Sequence, residues 1–368
     1  MEEAFRFADE LGPAKIVHIH VPGVKLKAIV VIDNVACGPS IGGVRMAPDV
    51  SLEECFRLAR AMTLKNAAAG LAHGGGKSVI FADPRMPVPQ KEALIRAFAC
   101  AIRDLVDYIP GPDMGTDERA MAWVADEIHR SVGLPPTLGG IPLDEIGATG
   151  FGLAVAIEAA RPQSGIELKG ARVAVQGFGS VGRHAARFLA EKGAVLVAAA
   201  DSGGTIHAPR GLDIEALTRF KAEGRSVVEY REGEKLATDA IVGVPCEIWI
   251  PAARPDVLRA DNVMRLEARL VAEGANIPAT AEAEEALHER GVLVLPDFIA
   301  NAGGEITAAV EYRGGNEAAA FAAIAEKIGR NVKLVLEEAD RKHCLPRAAA
   351  TALAERRVRE AMKLRRFG

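Results

Sequence analysis

Between Arg172 and Asp201 the chain reads RVAVQGFGSVGRHAARFLAEKGAVLVAAAD, and this stretch decides the fold. Arg172-Val-Ala-Val-Gln176 is a short apolar run rich in β-branched residues, the signature of a buried strand. Gly177-x-Gly179-x-x-Gly182 follows at once, and a helix is predicted through His184–Lys192. A second apolar run, Ala194–Ala200, ends on Asp201, nineteen residues beyond Gly182. The glycine spacing alone is weak. Between a strand, a helix and an acid closing the next strand, it predicts a pyrophosphate cradle. Gly177 permits the tight turn, Gly179 lets the backbone approach phosphate oxygens, and Gly182 lets helix and sheet pack closely. The helix start adds free N–H groups and a positive dipole end, with Phe178, Ser180 and Val181 completing the loop. Asp201 is expected to accept hydrogen bonds from an adenosine ribose. An anion there repels a 2′-phosphate, so NAD is expected over NADP, with NADP not excluded. Ser202–Thr205 offers further hydroxyl and backbone groups at the same place.

Working outward, 368 residues predict two domains at roughly 100–200 residues each, and 49% apolar against 26% charged residues predicts buried cores. A formal net charge of -4 gives no overall attraction for nucleic acid or an anionic membrane. The five cysteines, Cys37, Cys55, Cys100, Cys246 and Cys344, are odd in number and show no CxxC spacing. They are expected to be reduced, mostly buried thiols, with no disulfide framework and no metal site. The start, Met1-Glu-Glu-Ala, lacks the basic and apolar regions of a secretory signal, and no apolar run reaches the roughly 18–20 residues of a membrane span. A cytoplasmic protein is expected.

Toward the N-terminus, Lys15–Asp33 reads as two strands broken by a turn at Pro22-Gly23. His18 and His20 then share one strand face, which without a third ligand is a sheet surface rather than a metal site. Ser51-Leu-Glu-Glu54 opens a helix that carries Lys65 toward GLAHGGGKSVIF, read as a glycine turn with Lys77 at its end and a strand after it. A helix is predicted near Lys91–Asp107 and a loop over Tyr108–Asp117. The second domain is expected to open with a helix from Ala148 to Ala160. Further parallel strands are expected in Ile241–Ile250, Leu270–Glu273 and Val292–Leu295, and helices over Glu317–Ala339 and Arg347–Leu364.

Lys65 and Lys77, twelve residues apart, sit among apolar and small residues in MTLKNAAAGLAHGGGKS. A lysine in an apolar, glycine-lined site has its charged form disfavoured, which brings its pKa into the range of acid–base work. Asp113, between Pro112 and Met114-Gly115, either aims one carboxylate from a rigid loop or caps a helix.

Seven ordered segments, IGGVRMAPDVSLEE, MTLKNAAAGLAHGGGKS, PGPDMGTDE, ATGFG, VAVQGFGSVG, VAEGANIPAT and LPDFIANAGGEI, resemble the glutamate/leucine/phenylalanine/valine dehydrogenase superfamily over nearly the whole chain. The resemblance implies reversible oxidative deamination of an L-amino acid to its 2-oxo acid and ammonia, with hydride passing to a nicotinamide. It assigns Lys65 to the substrate α-carboxylate, Lys77 and Asp113 to catalysis, Thr149 to the nicotinamide amide, Asn276 to its ribose, and Asn301 to the meeting of cofactor and substrate. Thr149 is also placed to cap a helix, and both asparagines to serve as turn residues.

The same resemblance bears on the substrate. Glutamate-specific members carry a lysine before the Gly42-Gly43 pair, and here that position is Ile41. Leaving a buried distal carboxylate unpaired costs several kcal/mol, so a leucine-like or other apolar substrate is expected, with Gly111 leaving room in the pocket. Glu305, after Asn301-Ala-Gly-Gly, and Ala308 one turn later are the remaining pocket positions. An acid does not suit an apolar pocket: Glu305 pairs locally, with Arg45 one partner, or stays protonated, or faces a polar or cationic substrate, or marks an impaired subunit. Glutamate dehydrogenase, with Arg45 as the substitute cation, and a non-catalytic amino-acid-binding subunit of an active paralogue are the alternatives.

The expected architecture is α/β in two domains. Residues 1–136 form an α/β substrate and oligomerisation domain and 137–334 a Rossmann-type doubly wound domain, with 335–368 packing back on the first. A cleft between the domains is expected to hold the substrate. The resemblance further implies a homo-oligomer, a hexamer or octamer.

Overall fold

The computed structural model describes residues 5–366; the acidic opening Met1–Ala4, on which the reading of the leader rests, and Phe367–Gly368 lie outside the described residues. Two compact units divide the chain. The first runs to Pro142 and regains Glu305–Ala320 and the stretch from Thr351; the second holds Leu143–Gly304 and Phe321–Ala350.

The first unit is built on a five-stranded sheet, ordered β1-β2-β4-β3-β5. Its strands are β1 (Lys15–Val21), β2 (Leu26–Asn34), β3 (Ser40–Ala47), β4 (Gly74–Phe81) and β5 (Tyr108–Pro112). The predicted hairpin is β1 and β2, paired antiparallel, with His18 and His20 together on its exposed face. β3 pairs parallel with both β4 and β5. Both sheet faces are covered, so β2 is apolar almost throughout. Leu26, Ala28, Val30 and Ile32 pack with α2 (Val88–Ala101) and α3 (Glu118–Ile128), whereas Ile29 and Val31 face Cys55 and Ala59 of α1 (Leu52–Ala68). α1 starts where predicted, with Ser51 Oγ accepting from the Glu54 N–H.

Two expectations for this unit are corrected. The triple glycine is strand rather than turn, because its neighbours lie too close for side chains: a Cβ on Gly74 would meet the Asn34 carbonyl oxygen at 1.8 Å, and one on Gly75 the Thr63 nitrogen at 2.0 Å. Tyr108–Pro112, expected as loop, is the edge strand β5, held by the buried Tyr108 hydroxyl, 2.9 Å from both the Gly42 carbonyl and Ser78 Oγ.

The second unit carries a seven-stranded sheet, ordered β12-β11-β10-β6-β7-β8-β9. β6 (Arg172–Gln176), β7 (Val195–Asp201), β10 (Ile248–Pro251), β11 (Leu270–Ala272) and β12 (Leu293–Leu295) are parallel, as expected. β8 (Gly204–His207) and β9 (Glu234–Leu236) extend it antiparallel and were not foreseen. Strand order reverses between β6 and β10, the switch point where doubly wound sheets bind ligands. The Ile241–Ile250 run is strand only from Ile248 and begins inside a 3-10 turn (Thr238–Gly243); its apolar residues still enter the core, around Trp249, whose indole N–H donates to the Ile241 carbonyl at 3.0 Å. The helix Ala148–Ala159 is buried nearly all round, which accounts for its lack of a polar face.

The observed division differs from the expected spans at the C-terminal side. Glu305–Ala320 lies with the first unit, and the return begins at Thr351 rather than 335. Glu305 pairs with Lys65 at 2.7 Å, and the Glu311 carboxylate accepts from the Leu134 and Ile141 N–H groups at 3.0 and 2.9 Å. All five cysteines are free, but only Cys55 and Cys246 are buried, so the expectation of mostly buried thiols is too broad. Among the described residues, no helix is long and apolar enough to cross a membrane.

Candidate active site

The sequence-predicted residues fall into two groups, one in each unit. In the first, Lys77 stands on the central strand β4, only 6% exposed. Its Nζ hydrogen-bonds Asp113 Oδ2. Asp113 follows β5 and caps no helix; α3 is capped by Asp117, whose Oδ1 accepts from the Ala120 N–H at 2.8 Å. The other Asp113 oxygen lies 3.3 Å from Arg45 Nη2, and Arg45 Nη1 lies 2.6 Å from Glu54 Oε1. Burial lowers the Lys77 pKa to about 7, and the neighbouring Arg45 and Lys65 charges push the same way while Glu305 opposes them. A lysine that exchanges its proton near neutrality, bonded to a carboxylate, can both give and take protons in a reaction.

Gly43 explains how the two groups approach β3. A Cβ there would meet Asp113 Cβ at 2.7 Å and Lys77 Nζ at 3.1 Å, whereas one on Gly42 would meet the Gly76 carbonyl oxygen. Ile41 is 5% exposed and paired with Gly75 across β3 and β4, and Gly111 on β5 faces Val132. Lys65 reaches Glu305 rather than remaining free, which makes Lys65, not Arg45, the partner of that acid. Ala308 lies one helical turn on from Glu305, in the helix Gly303–Tyr312. Sequence reasoning named Arg45 as a partner for Glu305 and as a substitute cation for a distal carboxylate, and missed Glu54. Period-two alternation in IGGVRM puts Arg45 on the same face as Gly43, the signal that marks it.

The second group gathers at the carboxyl ends of β6, β7, β10 and β11. Gly177 has φ +97°, and a Cβ there would strike Ala253; a Cβ on Gly182 would strike the Gly177 carbonyl oxygen at 2.1 Å. Gly179 caps the helix Ser180–Ala190 with no side-chain bond, and a Cβ on it would meet nothing within 4 Å. Open space in front of free helix N–H groups fits a dinucleotide pyrophosphate. Phe178 belongs to the loop through its backbone alone, since its ring is 2% exposed in the core. Ser180 Oγ donates to the Asp144 carbonyl at 3.0 Å, and Val181 is partly exposed.

Asn301 Nδ2 donates to Asn276 Oδ1 at 3.0 Å, which ties the residue expected at the nicotinamide ribose to the one expected where cofactor and substrate meet. Asn301 is 4% exposed and its Oδ1 has no partner among the described residues, an acceptor left over for a ligand. Thr149 lies within its helix, which Gly147 caps, and a Cβ on Gly304 would stand 3.6 Å from its hydroxyl. Asp201 differs most from expectation. Both its oxygens are taken by the protein, through Lys221 and Ser226 side chains and the Gly203 and Val227 N–H groups. Burial works to raise its pKa, but these four bonds prevail and hold it below the usual carboxylate value.

Behind the asparagines lies a cluster that sequence reasoning missed. Arg347 pairs with Glu273 at 2.6 Å, Glu284 at 2.6 Å and Asp297 at 2.8 Å. The other Asp297 oxygen accepts from the Ile277 N–H at 2.9 Å, next to Asn276.

Residues 139–366 match the family model described as Glutamate/Leucine/Phenylalanine/Valine dehydrogenase, and residues 13–130 the model described as Glu/Leu/Phe/Val dehydrogenase, dimerisation domain. The chain is 40% identical over 328 residues to the NADP(+)-dependent glutamate dehydrogenase of Pyrobaculum calidifontis, covering 82% of this chain and 77% of that one. It is similar in structure to the hetero-hexameric glutamate dehydrogenase from Thermus thermophilus in its Leu-bound form, with TM-score 0.84 and 32% identity over 96% of this chain and 90% of that one. It is also similar to L-tryptophan dehydrogenase from Nostoc punctiforme, with TM-score 0.78 and 26% identity over 98% of each chain.

Proposed function

The chain belongs to the glutamate/leucine/phenylalanine/valine dehydrogenase family and is an amino-acid dehydrogenase, and from that premise we propose that it deaminates an L-amino acid whose side chain carries no carboxylate. The reaction is reversible: amino acid, oxidised nicotinamide dinucleotide and water give 2-oxo acid, ammonium, the reduced dinucleotide and a proton. NAD or NADP supplies the hydride acceptor when bound. Gly177, Gly179, Gly182, Ser180 and Val181 would hold its pyrophosphate, and Thr149, Asn276 and Asn301 its nicotinamide end. Asp113 takes the proton that frees the substrate amino group. Lys77, neutral above about pH 7, removes a proton from the water that attacks the imine carbon, and as the ammonium it returns one to the departing amine. Lys65 holds the α-carboxylate.

The pairing of every site cation carries the substrate assignment. Lys77 is matched by Asp113, Arg45 by Glu54 and Asp113, and Lys65 by Glu305, while Ile41 is apolar and buried. With Lys65 given to the α-carboxylate in place of Glu305, a distal carboxylate would enter with no further cation to meet it. The name of the Pyrobaculum relative favours glutamate as a second reading, which needs Arg45 to leave its two acids. The description of the N-terminal model as a dimerisation domain supports assembly into an oligomer.

The test is dinucleotide reduction with leucine, phenylalanine and glutamate by the wild type and by Glu305→Val. Leucine or phenylalanine should be preferred, and the variant should lower KM for them, because the α-carboxylate no longer shares Lys65 with an internal acid. Preference for glutamate would overturn the assignment. Silence with all three, despite dinucleotide binding, would favour a binding subunit of an active paralogue.

A further inference from the structure

The turn that follows β11 is held against its own preference. Gly274 and Ala275 donate their N–H groups to the Pro251 carbonyl at 2.9 and 2.8 Å, and the chain then bends so that Asn276 and Ile277 stand exposed. Ile277 has φ +48°, where a β-branched side chain is rarely found, and Pro278 after it favours extended backbone at Ile277. Such a conformation persists only where the surroundings over-determine it.

The surroundings that do so are buried and charged. The Ile277 N–H donates to Asp297 Oδ2 at 2.9 Å. Asp297 cannot swing away: Arg347 Nη1 donates to its Oδ1 at 2.8 Å, and its own N–H donates to Glu273 Oε2 at 2.9 Å. Arg347 is fixed in turn by Glu273 and Glu284 at 2.6 Å each, with its guanidinium over the Phe298 ring. The Asp297 carbonyl also accepts from the Asn301 N–H at 2.7 Å, across the short helix Asp297–Ala300. One residue thus sets both asparagines, through its side chain toward Asn276 and through its backbone toward Asn301. Their side chains then meet at 3.0 Å, which leaves Asn301 Oδ1 buried and without a partner among the described residues.

We propose that Asp297, locked by Arg347, is a positioning residue for the nicotinamide end of the dinucleotide. It holds the turn Gly274–Ile277 in a conformation that the chain alone would not keep, and so aims Asn276 and Asn301 before the ligand arrives. The proposal rests on the reading that these asparagines meet the nicotinamide end and that Gly177–Gly182 holds the pyrophosphate.

Calorimetric titration into the full-length protein, without amino acid, tests it independently of turnover. The probes are NADH, or NADPH where that binds more tightly, and ADP, which keeps the adenosine and diphosphate but lacks the nicotinamide and its ribose. Asp297→Asn keeps the side-chain size but cannot both accept from Ile277 and pair with Arg347 as an anion. It should weaken the dinucleotide about tenfold and leave ADP within about twofold. Ile277→Pro, at a position 58% exposed and so outside the core, removes the donor, forbids a positive φ and should give the same pattern. The two changes together should cost little more than either alone, because they break one bond. Equal weakening of both probes by Asp297→Asn would mean a general loss of fold and would overturn the proposal. So would an unchanged dinucleotide affinity in either variant, or full additivity in the pair. Dinucleotide affinity unchanged in both Asn276→Ala and Asn301→Ala would overturn the reading of the asparagines beneath it, and a wild type that binds neither probe would overturn the reading of Gly177–Gly182 as well.

Discussion

Lys77 is a charged residue placed where strands are normally apolar, and its neighbours account for its chemistry. Burial outweighs the rest of its surroundings and brings its pKa to about 7, while Asp113 stays within hydrogen-bond reach. Two consequences are measurable at this scale. Lys77→Ala should lower kcat about 10²–10⁴-fold, the usual contribution of one positioned acid–base group, with dinucleotide affinity unchanged. Gly43→Ala should reduce activity at least about tenfold, because the new methyl group intrudes between Asp113 and Lys77; near-normal turnover would show that the pair does not need this spacing. The importance of Lys77 was legible from its flanking glycines, and so was the oddity of Glu305. The partner of Glu305 was not legible, because Lys65 lies 240 residues away in sequence and only folding joins them. The four bonds on Asp201 were hidden for the same reason: two come from residues beyond the next helix.

Among the elements, β4 and the Arg347 cluster make the strongest demands. Three glycines at the start of a strand read as a turn when propensity alone is considered, yet close neighbours require them, the Asn34 carbonyl at Gly74, α1 at Gly75, and Ser40 with Tyr108 at Gly76. Gly75→Ala should therefore destabilise the fold, since its methyl group would sit 2.0 Å from the Thr63 nitrogen; a melting midpoint lowered by roughly 5 °C or more, or insoluble protein, is expected. In the cluster, burial holds the Glu273 carboxyl well above its usual pKa and raises Glu284 as well. The folded chain thus keeps protons that the unfolded chain has released. Stability from these groups is complete below the unfolded value near 4.5 and is lost as pH rises through the folded values. Arg347→Met removes the only cation paired with them among the described residues and should destabilise by about 3–5 kcal/mol. The deficit in melting midpoint should grow from acid toward neutral pH, and a deficit independent of pH would show that Arg347 acts through packing alone.

At the scale of the whole molecule, the strand–glycine–helix–strand unit at Arg172–Asp201 was enough to give a doubly wound second unit, because period, turn chemistry and helix start agree there. The parallel strands β10, β11 and β12 were legible as short apolar runs. The added strands β8 and β9 were not, since Gly204–His207 and Glu234–Leu236 are short and carry no clear alternation. Nor was the path of the C-terminal third, which passes to the first unit at Glu305, back to the second at Phe321 and to the first again at Thr351. The central claim, an amino-acid dehydrogenase that uses a near-neutral Lys77 on an apolar substrate, is tested most directly by the pH dependence of kcat/KM for leucine oxidation, wild type against Lys77→Ala. Activity should rise through a limb near pH 7 in the wild type, with that limb absent from the residual rate of the variant. A variant that retains both the limb and the rate would contradict the account.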